Sequence, residues 1–188
     1  MIKIYNDYIY DLIHKLVNDK DFKKCDMIIF NTNNKKYNED YNEYLRKIEE
    51  ILSLSSYMIK KGGNIIIIGN HLIEDIDDSL ENQFLWSKQR TITYETKPEI
   101  ILEDPIKYIL WYSDSYNPNS PQFVCNEFDD NRELSNSWGE SIDMYETIIK
   151  MFSNENDTIF DPQMKDETIK EYCEKLDRNY IGIKNDKI

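Results

Sequence analysis

Four consecutive isoleucines, Ile65 to Ile68, are the feature that most constrains the fold of this chain. β-Branched side chains favour strands, and successive side chains of a strand point to opposite faces of its sheet. A strand that is apolar at every position therefore has both faces covered, as in a parallel sheet with helices on each side. Residues 26–30 form a second strand of this kind, apolar from Met27 to Phe30, which ends in the polar segment 31–34.

Apolar residues at helical spacing separate these strands and predict that helices and strands alternate. The predicted helices lie in residues 9–17, 41–52, 142–152 and 169–176, and the predicted strands cover residues 2–5, 26–30, 64–69, 98–102, 107–112, 158–160 and 179–183. Lys60-Lys61-Gly62-Gly63 is predicted to close the second helix, because cations and glycine suit a helix C-terminus. The alternation predicts an α/β fold with a mostly parallel central sheet and helices on both faces.

The length of 188 residues indicates a single domain, residues 1–188. A hydrophobic fraction of 40% is enough to build a core. Residues 113–139 are rich in Ser, Asn, Asp and Pro, and they are expected to form a long loop or an insert.

Charge and residue usage exclude several classes of protein. The net charge of −13 predicts that nucleic acid binds only weakly or through a partner. Three scattered cysteines and two histidines predict neither a disulfide framework nor a metal site. No apolar run is long enough to span a membrane, and no signal-peptide pattern is visible, so an intracellular protein of the cytoplasm or nucleus is expected. The scarcity of Ala beside abundant Asn, Lys, Ile and Tyr indicates an AT-rich genome, either that of a low-GC bacterium or that of a virus in a host cell.

Two segments carry a resemblance to a known family. "CDMIIFNTNN" (25–34) is a strand followed by a polar loop, and "TIFDPQMKDETIKEYCEKLDRNYIGI" (158–183) is a strand, a loop, a helix and a second strand. In this order the chain resembles the DNA methyltransferases that modify adenine N6 or cytosine N4, in the permuted arrangement where the catalytic strand precedes the cofactor-binding strand. The residues that match the second segment of the family are Asp161, Pro162, Thr168, Arg178 and Gly182. The resemblance implies a Rossmann-like methyltransferase fold and S-adenosylmethionine as the cofactor.

The catalytic positions that the resemblance implies are degenerate. The family has Asp-Pro-Pro-Tyr where this chain has Asn31, Thr32, Asn33 and Asn34. Asn31 keeps a carbonyl acceptor for a target amine, but Asn34 replaces the ring that stacks on a flipped base, a contact worth about 1–3 kcal/mol. Tyr37 is the alternative source of a ring.

The implied cofactor positions are also altered. Asp161 and Pro162 are retained, but Lys165 and Glu167 occupy the two positions where glycines would let the cofactor approach the backbone. Lys184 stands where the family has an acid for the ribose hydroxyls, with Asp186 two residues beyond.

The charge of this loop also opposes the cofactor. Asp166 and Glu167 would face its carboxylate, whereas in the first turn of a helix the same two acids offset the helix dipole. The expectation is that no cofactor binds, and that S-adenosylmethionine binds only if the chain is an active enzyme.

Three hypotheses follow. The first is a catalytically degenerate protein that acts by binding a macromolecule, as the non-catalytic subunit of a homo- or hetero-oligomeric methyltransferase complex; the resemblance implies pairing through the helices that flank the sheet. The second is an active DNA N6-adenine or N4-cytosine methyltransferase that uses Asn31 as the acceptor. The third is an acidic inhibitor of a nucleic-acid-binding enzyme, whose acids would come from residues 73–81 and 126–133.

Overall fold

Seven strands form one sheet in the part of the chain that the structure, a computed structural model, describes. The described residues are 1–20, 22–32, 40–69 and 144–184, together with the backbone of the strands at 87–95 and 106–113. The predictions for Asn33, Asn34, Tyr37, Asp186, the strand at 98–102, the loop at 113–139 and the acidic segments at 73–81 and 126–133 lie outside these residues.

The sheet is parallel through five adjacent strands. In chain order the strands are β1 (Ile2–Tyr5), β2 (Cys25–Asn31), β3 (Ile59–Gly69), β4 (Ser87–Glu95), β5 (Ile106–Ser113), β6 (Thr158–Asp161) and β7 (Asn179–Ile183). Their order across the sheet is β1-β7-β6-β2-β3-β5-β4. The pairs from β1 to β3 are parallel, and β5 runs antiparallel to both β3 and β4. The predicted mostly parallel sheet is therefore confirmed.

Helices cover both faces of the sheet. They are α1 (Ile9–Asn18), α2 (Tyr41–Ser56), α3 (Met144–Phe152) and α4 (Thr168–Lys175). Ile65 and Ile67 belong to the core under α1 and α2, whereas Ile66 and Ile68 belong to the core under α3 and α4. Each face of the isoleucine run thus has its own hydrophobic core, as the absence of alternation predicts.

Two predictions about local structure are wrong. No strand was predicted at residues 87–95, where β4 lies at the edge of the sheet. The helix α2 ends at Ser56, and the residues predicted to close it, Lys60 to Gly63, belong to β3. Cys25 pairs with Ile59 and Met27 pairs with Asn64, so residues 60–63 bulge out of the ladder. Gly62 has a φ of 76° there, a conformation that glycine adopts without steric cost.

The direction in which the chain adds successive strands to the sheet reverses between β6 and β2. From β6 the chain passes through α4 to β7 on one side, and from β2 it passes through α2 to β3 on the other side. The carboxyl ends of β6 and β2 are adjacent, so the connections that follow them diverge and leave a crevice. Among the described residues, no helix combines the length and the apolar composition needed to cross a bilayer.

Candidate functional site

The crevice brings together the two segments that the resemblance singles out. Ile28 of β2 pairs with Phe160 of β6, so Asn31 and Asp161, the last residues of these strands, lie at the same edge of the sheet. Ligands of open α/β sheets bind at such a switch point. The crevice between β2 and β6 is therefore the candidate functional site.

On the β2 side, tyrosines from both faces of the sheet hold the start of the polar loop. The Asn31 Nδ2 amide donates to the Tyr145 hydroxyl of α3 at 2.7 Å. Thr32 is buried, its backbone N–H donates to the Ile68 carbonyl at 2.8 Å, and its own carbonyl accepts from the Tyr44 hydroxyl of α2. These bonds fix the chain at a position where the family has proline.

On the β6 side, the Asp161 carboxylate is buried and bonded within the protein. The residue is 3% exposed. Its Oδ1 accepts from the Gln163 N–H at 3.1 Å, and its Oδ2 accepts from the Tyr180 hydroxyl at 3.0 Å. Burial is the main cause that raises the pKa of Asp161 to about 7; the charge of Asp166 acts in the same direction, and the two hydrogen bonds oppose the shift.

The loop of residues 162–167 folds back onto the sheet. Pro162 and Met164 are buried, and the Met164 N–H donates to the Ile183 carbonyl at the end of β7 at 2.9 Å. Within the described part of the chain, positive φ angles occur at Gly62, Asn156 and Asp177, and none lies in this loop. Its path is therefore one that residues other than glycine can follow.

The two acids of the loop, Asp166 and Glu167, contact the first residues of helix α4. Asp166 Oδ1 accepts from the Thr168 N–H at 2.9 Å, and hydrogen bonds from Thr168 lower the pKa of Asp166. Glu167 forms an ion pair with Lys170 at 2.6 Å, and this pair lowers the pKa of Glu167. Asp166 and Glu167 thus lie just before the first residue of α4 and not within its first turn, and their negative charges still offset the helix dipole there.

The two lysines of the candidate cofactor positions are exposed. Lys165 lies at the surface of the loop, and the side chain of Lys184 lies near enough to Glu167 to lower the pKa of that carboxyl further. The Lys184 N–H donates to the Tyr5 carbonyl of β1 at 2.9 Å, which places this residue just beyond β7. All the candidate positions that the structure describes therefore lie along one edge of the sheet.

Sequence reasoning missed the roles of two tyrosines. The sequence pattern predicts Tyr145 on a helix face and Tyr180 in a strand, yet their hydroxyls bond Asn31 and Asp161. The signal that could have found them is that a buried tyrosine hydroxyl needs a hydrogen-bond partner. Gly182 supports the second contact, because a Cβ at this position would lie 2.5 Å from the Tyr180 hydroxyl oxygen. In the described part of the chain, no cluster of three or more His, Cys, Asp or Glu residues suits a metal ion.

Comparison of the sequence with protein families gives a match at the C-terminal part of the chain. Residues 141–187 match the family of N6- and N4-type DNA methylases. The match contains β6, the loop 162–167, α4 and β7, so it covers the Asp161 side of the crevice. No curated protein sequence matches the chain.

Solved structures match the fold over nearly the whole chain. The complex of M1.HpyAVI with SAM is 22% identical, covers 99% of this chain and 94% of its own, and superposes with a TM-score of 0.71. The putative DNA modification methylase TTHA0409 of Thermus thermophilus, complexed with S-adenosyl-L-methionine, is 13% identical, with coverage of 98% and 89% and a TM-score of 0.72. The cytosine-N4-specific PvuII DNA methyltransferase is 12% identical, with coverage of 97% and 81% and a TM-score of 0.72. The resemblance is confirmed, and the fold is the Rossmann-like fold of the amino-group DNA methyltransferases.

Proposed function

We propose that this protein is a catalytically degenerate member of the methyltransferase fold that acts by binding a macromolecule, as the non-catalytic partner in a nucleic-acid methyltransferase complex. The observation that carries the proposal is the closed path of residues 162–167. Asp161 is bonded on both oxygens, Met164 is buried against the sheet, and Asp166 occupies the N-terminus of α4.

The residues of this loop do not fit S-adenosylmethionine in the place that the fold offers it. A helix N-terminus attracts an anionic ligand because its N–H groups lack partners. At α4 the Thr168 N–H is already bonded by Asp166, and Glu167, whose charge is paired with Lys170, places a second carboxylate beside the position that the cofactor's carboxylate would take. Like charges at contact distance repel, and solvent screens this repulsion only in part.

The catalytic side of the crevice supports the same proposal. The Asn31 amide nitrogen donates a hydrogen bond to the Tyr145 hydroxyl of α3, and this bond fixes the orientation of the side chain. The scaffold is well packed on both sides, with Ile28 and Phe30 buried on one face and Met27 and Ile29 buried on the other. The hydrophobic packing is retained although the residues at the family's ligand-contact positions are replaced. This combination is expected for a protein that uses its surface to bind a macromolecule and does not use a cofactor site.

Isothermal titration with S-adenosylmethionine tests the proposal. We expect no measurable heat of binding for the wild type at cofactor concentrations up to about 1 mM, which corresponds to a binding free energy weaker than about −4 kcal/mol. The double variant Lys165→Gly/Glu167→Gly is expected to bind more tightly than the wild type, because it removes both side chains from the positions where glycines would let the cofactor approach the backbone, and it leaves the net charge of the loop unchanged. Micromolar binding by the wild type would overturn the proposal.

The second candidate is an active amino-methyltransferase, and the position of Asn31 is the observation that favours it. Asn31 ends β2 at the switch point beside Asp161, where the family's acceptor for the target amine would stand. On this hypothesis, transfer of a radiolabelled methyl group from S-adenosylmethionine to DNA or RNA is lost in Asn31→Ala and retained in the exposed control Asn6→Ala. The absence of label in both nucleic acids would count against this candidate.

A further inference from the structure

The edge of the sheet opposite the crevice carries a concentration of lysines. Residues 14–24 and 57–63 contain six lysines and two aspartates, a net charge of +4 in a chain of −13, so the rest of the chain carries −17. We call these lysines the basic edge; they are Lys15, Lys20, Lys23, Lys24, Lys60 and Lys61, and all are exposed.

The topology of the sheet joins these two segments, although they are far apart in the sequence. Cys25 at the start of β2 pairs with Ile59 at the start of β3, and the Cys25 N–H donates to the Met58 carbonyl at 2.7 Å. Lys23 and Lys24 immediately precede the first of these strands, and Lys60 and Lys61 lie in the bulge at the start of the second. The two lysine pairs are therefore neighbours on the surface.

Among the residues that the structure describes, ion pairs neutralise little of this charge. Lys60 forms an ion pair with Asp26, and the same aspartate accepts from the Thr158 N–H at 2.8 Å. Over the ranges that the structure describes, no ion pair involves Lys23, Lys24 or Lys61. These lysines remain available to an external anion.

The acidity of the whole chain does not cancel this local charge. The strand β2 has seven residues, which at about 3.3 Å per residue separates the basic edge from the acids of the crevice by roughly 23 Å. The Debye length at physiological ionic strength is about 8 Å. Asp26 and Asp157 lie beside Lys60 at the same edge, so the potential there is set by these two acids together with the six lysines, and not by the acids of the crevice.

An exposed aromatic ring accompanies the lysines. Tyr57 follows the last residue of α2, directly before the Met58 that bonds Cys25, and it is 59% exposed. Lysines that contact phosphates beside an aromatic ring that stacks on a base form the usual surface for single-stranded nucleic acid, independent of sequence. An acidic protein segment would use the lysines but would gain little from the ring.

We infer that the basic edge is a binding surface for single-stranded nucleic acid, on the side of the sheet opposite the candidate cofactor crevice. It contacts the phosphate backbone through Lys23, Lys24 and Lys61 and a base through Tyr57. The inference does not depend on whether S-adenosylmethionine binds, because the residues of the two sites lie at opposite edges. In the proposed complex, this surface would hold a strand whose modified base lies in the active partner.

Fluorescence anisotropy of a labelled oligothymidine of about 20 nucleotides, titrated with the full chain at several NaCl concentrations, tests the inference. Lys23→Gln/Lys24→Gln is expected to raise the Kd roughly tenfold or more at 0.1 M NaCl and to reduce the salt slope by about 1.4, which corresponds to two lost phosphate contacts. The matched control is Lys150→Gln/Lys175→Gln, which makes the same change of charge on the exposed surface of α3 and α4 and is expected to leave the Kd within about twofold.

The role of the ring is tested separately at Tyr57. Tyr57→Leu is expected to weaken binding about fivefold or more, and Tyr57→Phe is expected to retain it, because phenylalanine keeps the stacking face. Circular dichroism checks that each variant is folded, which is expected because these side chains are exposed.

Three results would overturn the inference. They are no binding of the oligonucleotide by the wild type, equal losses in the two lysine variants, and binding of poly-glutamate as tight as that of the oligonucleotide. Failure of this experiment leaves the titration with S-adenosylmethionine unaffected, so the two proposals can fail separately.

Discussion

At the scale of single residues, a buried carboxyl group at the end of a central strand is costly to ionise, and Asp161 is such a group. The Tyr180 hydroxyl and the Gln163 N–H both bond it, and Met164 lies buried beyond them. The same bonds that satisfy the carboxyl also hold the loop 162–167 against the sheet. The protonation of Asp161 is therefore coupled to the closed form of the loop.

The raised pKa of Asp161 leads to a pH dependence of stability with a definite sign. Its folded-state pKa of about 7 lies above the ordinary aspartate value of about 4, so between these pH values the folded protein holds a proton that the unfolded chain releases. This contribution to the free energy of unfolding is present below about pH 4 and is lost as the pH rises towards 7. The shift sets an upper bound of about 4 kcal/mol on the contribution.

Substitution of Asp161 by asparagine tests this coupling. Between about pH 4 and pH 7, titration of Asp161 is expected to lower the free energy of unfolding of the wild type. We expect this decrease to be absent in Asp161→Asn, because asparagine does not titrate. Urea unfolding at several pH values, monitored by fluorescence, gives the comparison. The exposed control Glu155→Gln should follow the wild type, and an Asp161→Asn curve that is parallel to the wild-type curve would contradict the assignment.

At the scale of elements, β3 shows what a strand without alternation requires. Its isoleucines face two separate cores, and Ile66, Ile67 and Ile68 have no exposed surface. The start of the same strand is different, because residues 60–63 bulge out and carry exposed lysines. One strand therefore supplies both the centre of the fold and part of the basic edge.

Because each face of β3 packs against its own hydrophobic core, we expect substitutions on either face to destabilise the protein to a similar extent. Ile66→Ala and Ile67→Ala are each expected to reduce the free energy of unfolding by about 2–5 kcal/mol, since each removes a buried side chain from a different core. Ile4→Ala, at a position that is 38% exposed, is the control and should cost less. Equilibrium unfolding in urea measures all three, and tolerance of either central substitution would show that one face of the strand is not packed.

At the scale of the whole molecule, the sheet separates two edges of different chemistry. The carboxyl edge holds Asn31, Asp161 and the acids at the start of α4, and the amino edge holds the lysines and Tyr57. Solved structures of DNA methyltransferases have the same fold. In this chain, however, the exposed lysines of the basic edge lie on the side of the sheet away from the candidate cofactor crevice. The two proposals assign one function to each edge, and they can be tested independently.

Much of the fold could be predicted from the sequence because its signals are local. In the isoleucine run, in α1 and in the segment from Arg178 to Ile183, the spacing of apolar residues within a short stretch of sequence is enough to predict the element and its buried face. The strand β4 could not be found in this way, since "SKQRTITYE" contains few apolar residues and pairs with β5 alone at the edge of the sheet. The true end of α2 was missed because the bulge in β3 depends on pairing with Cys25, which is distant in the sequence.

The sequence by itself determined the class of fold, the two segments that meet at the switch point, and the replacement of glycines by Lys165 and Glu167. Only the tertiary structure decided which side chains of the site meet. Tyr180 bonds Asp161 across 19 positions of the sequence, and Tyr145 bonds Asn31 across 114. The pairing of β2 with β3 likewise brings Lys24 close to Lys60. The physical reason is that burial and periodicity are properties of neighbouring residues. Hydrogen bonds between side chains, and the grouping of charges at one edge, depend instead on the register and order of strands far apart in the chain.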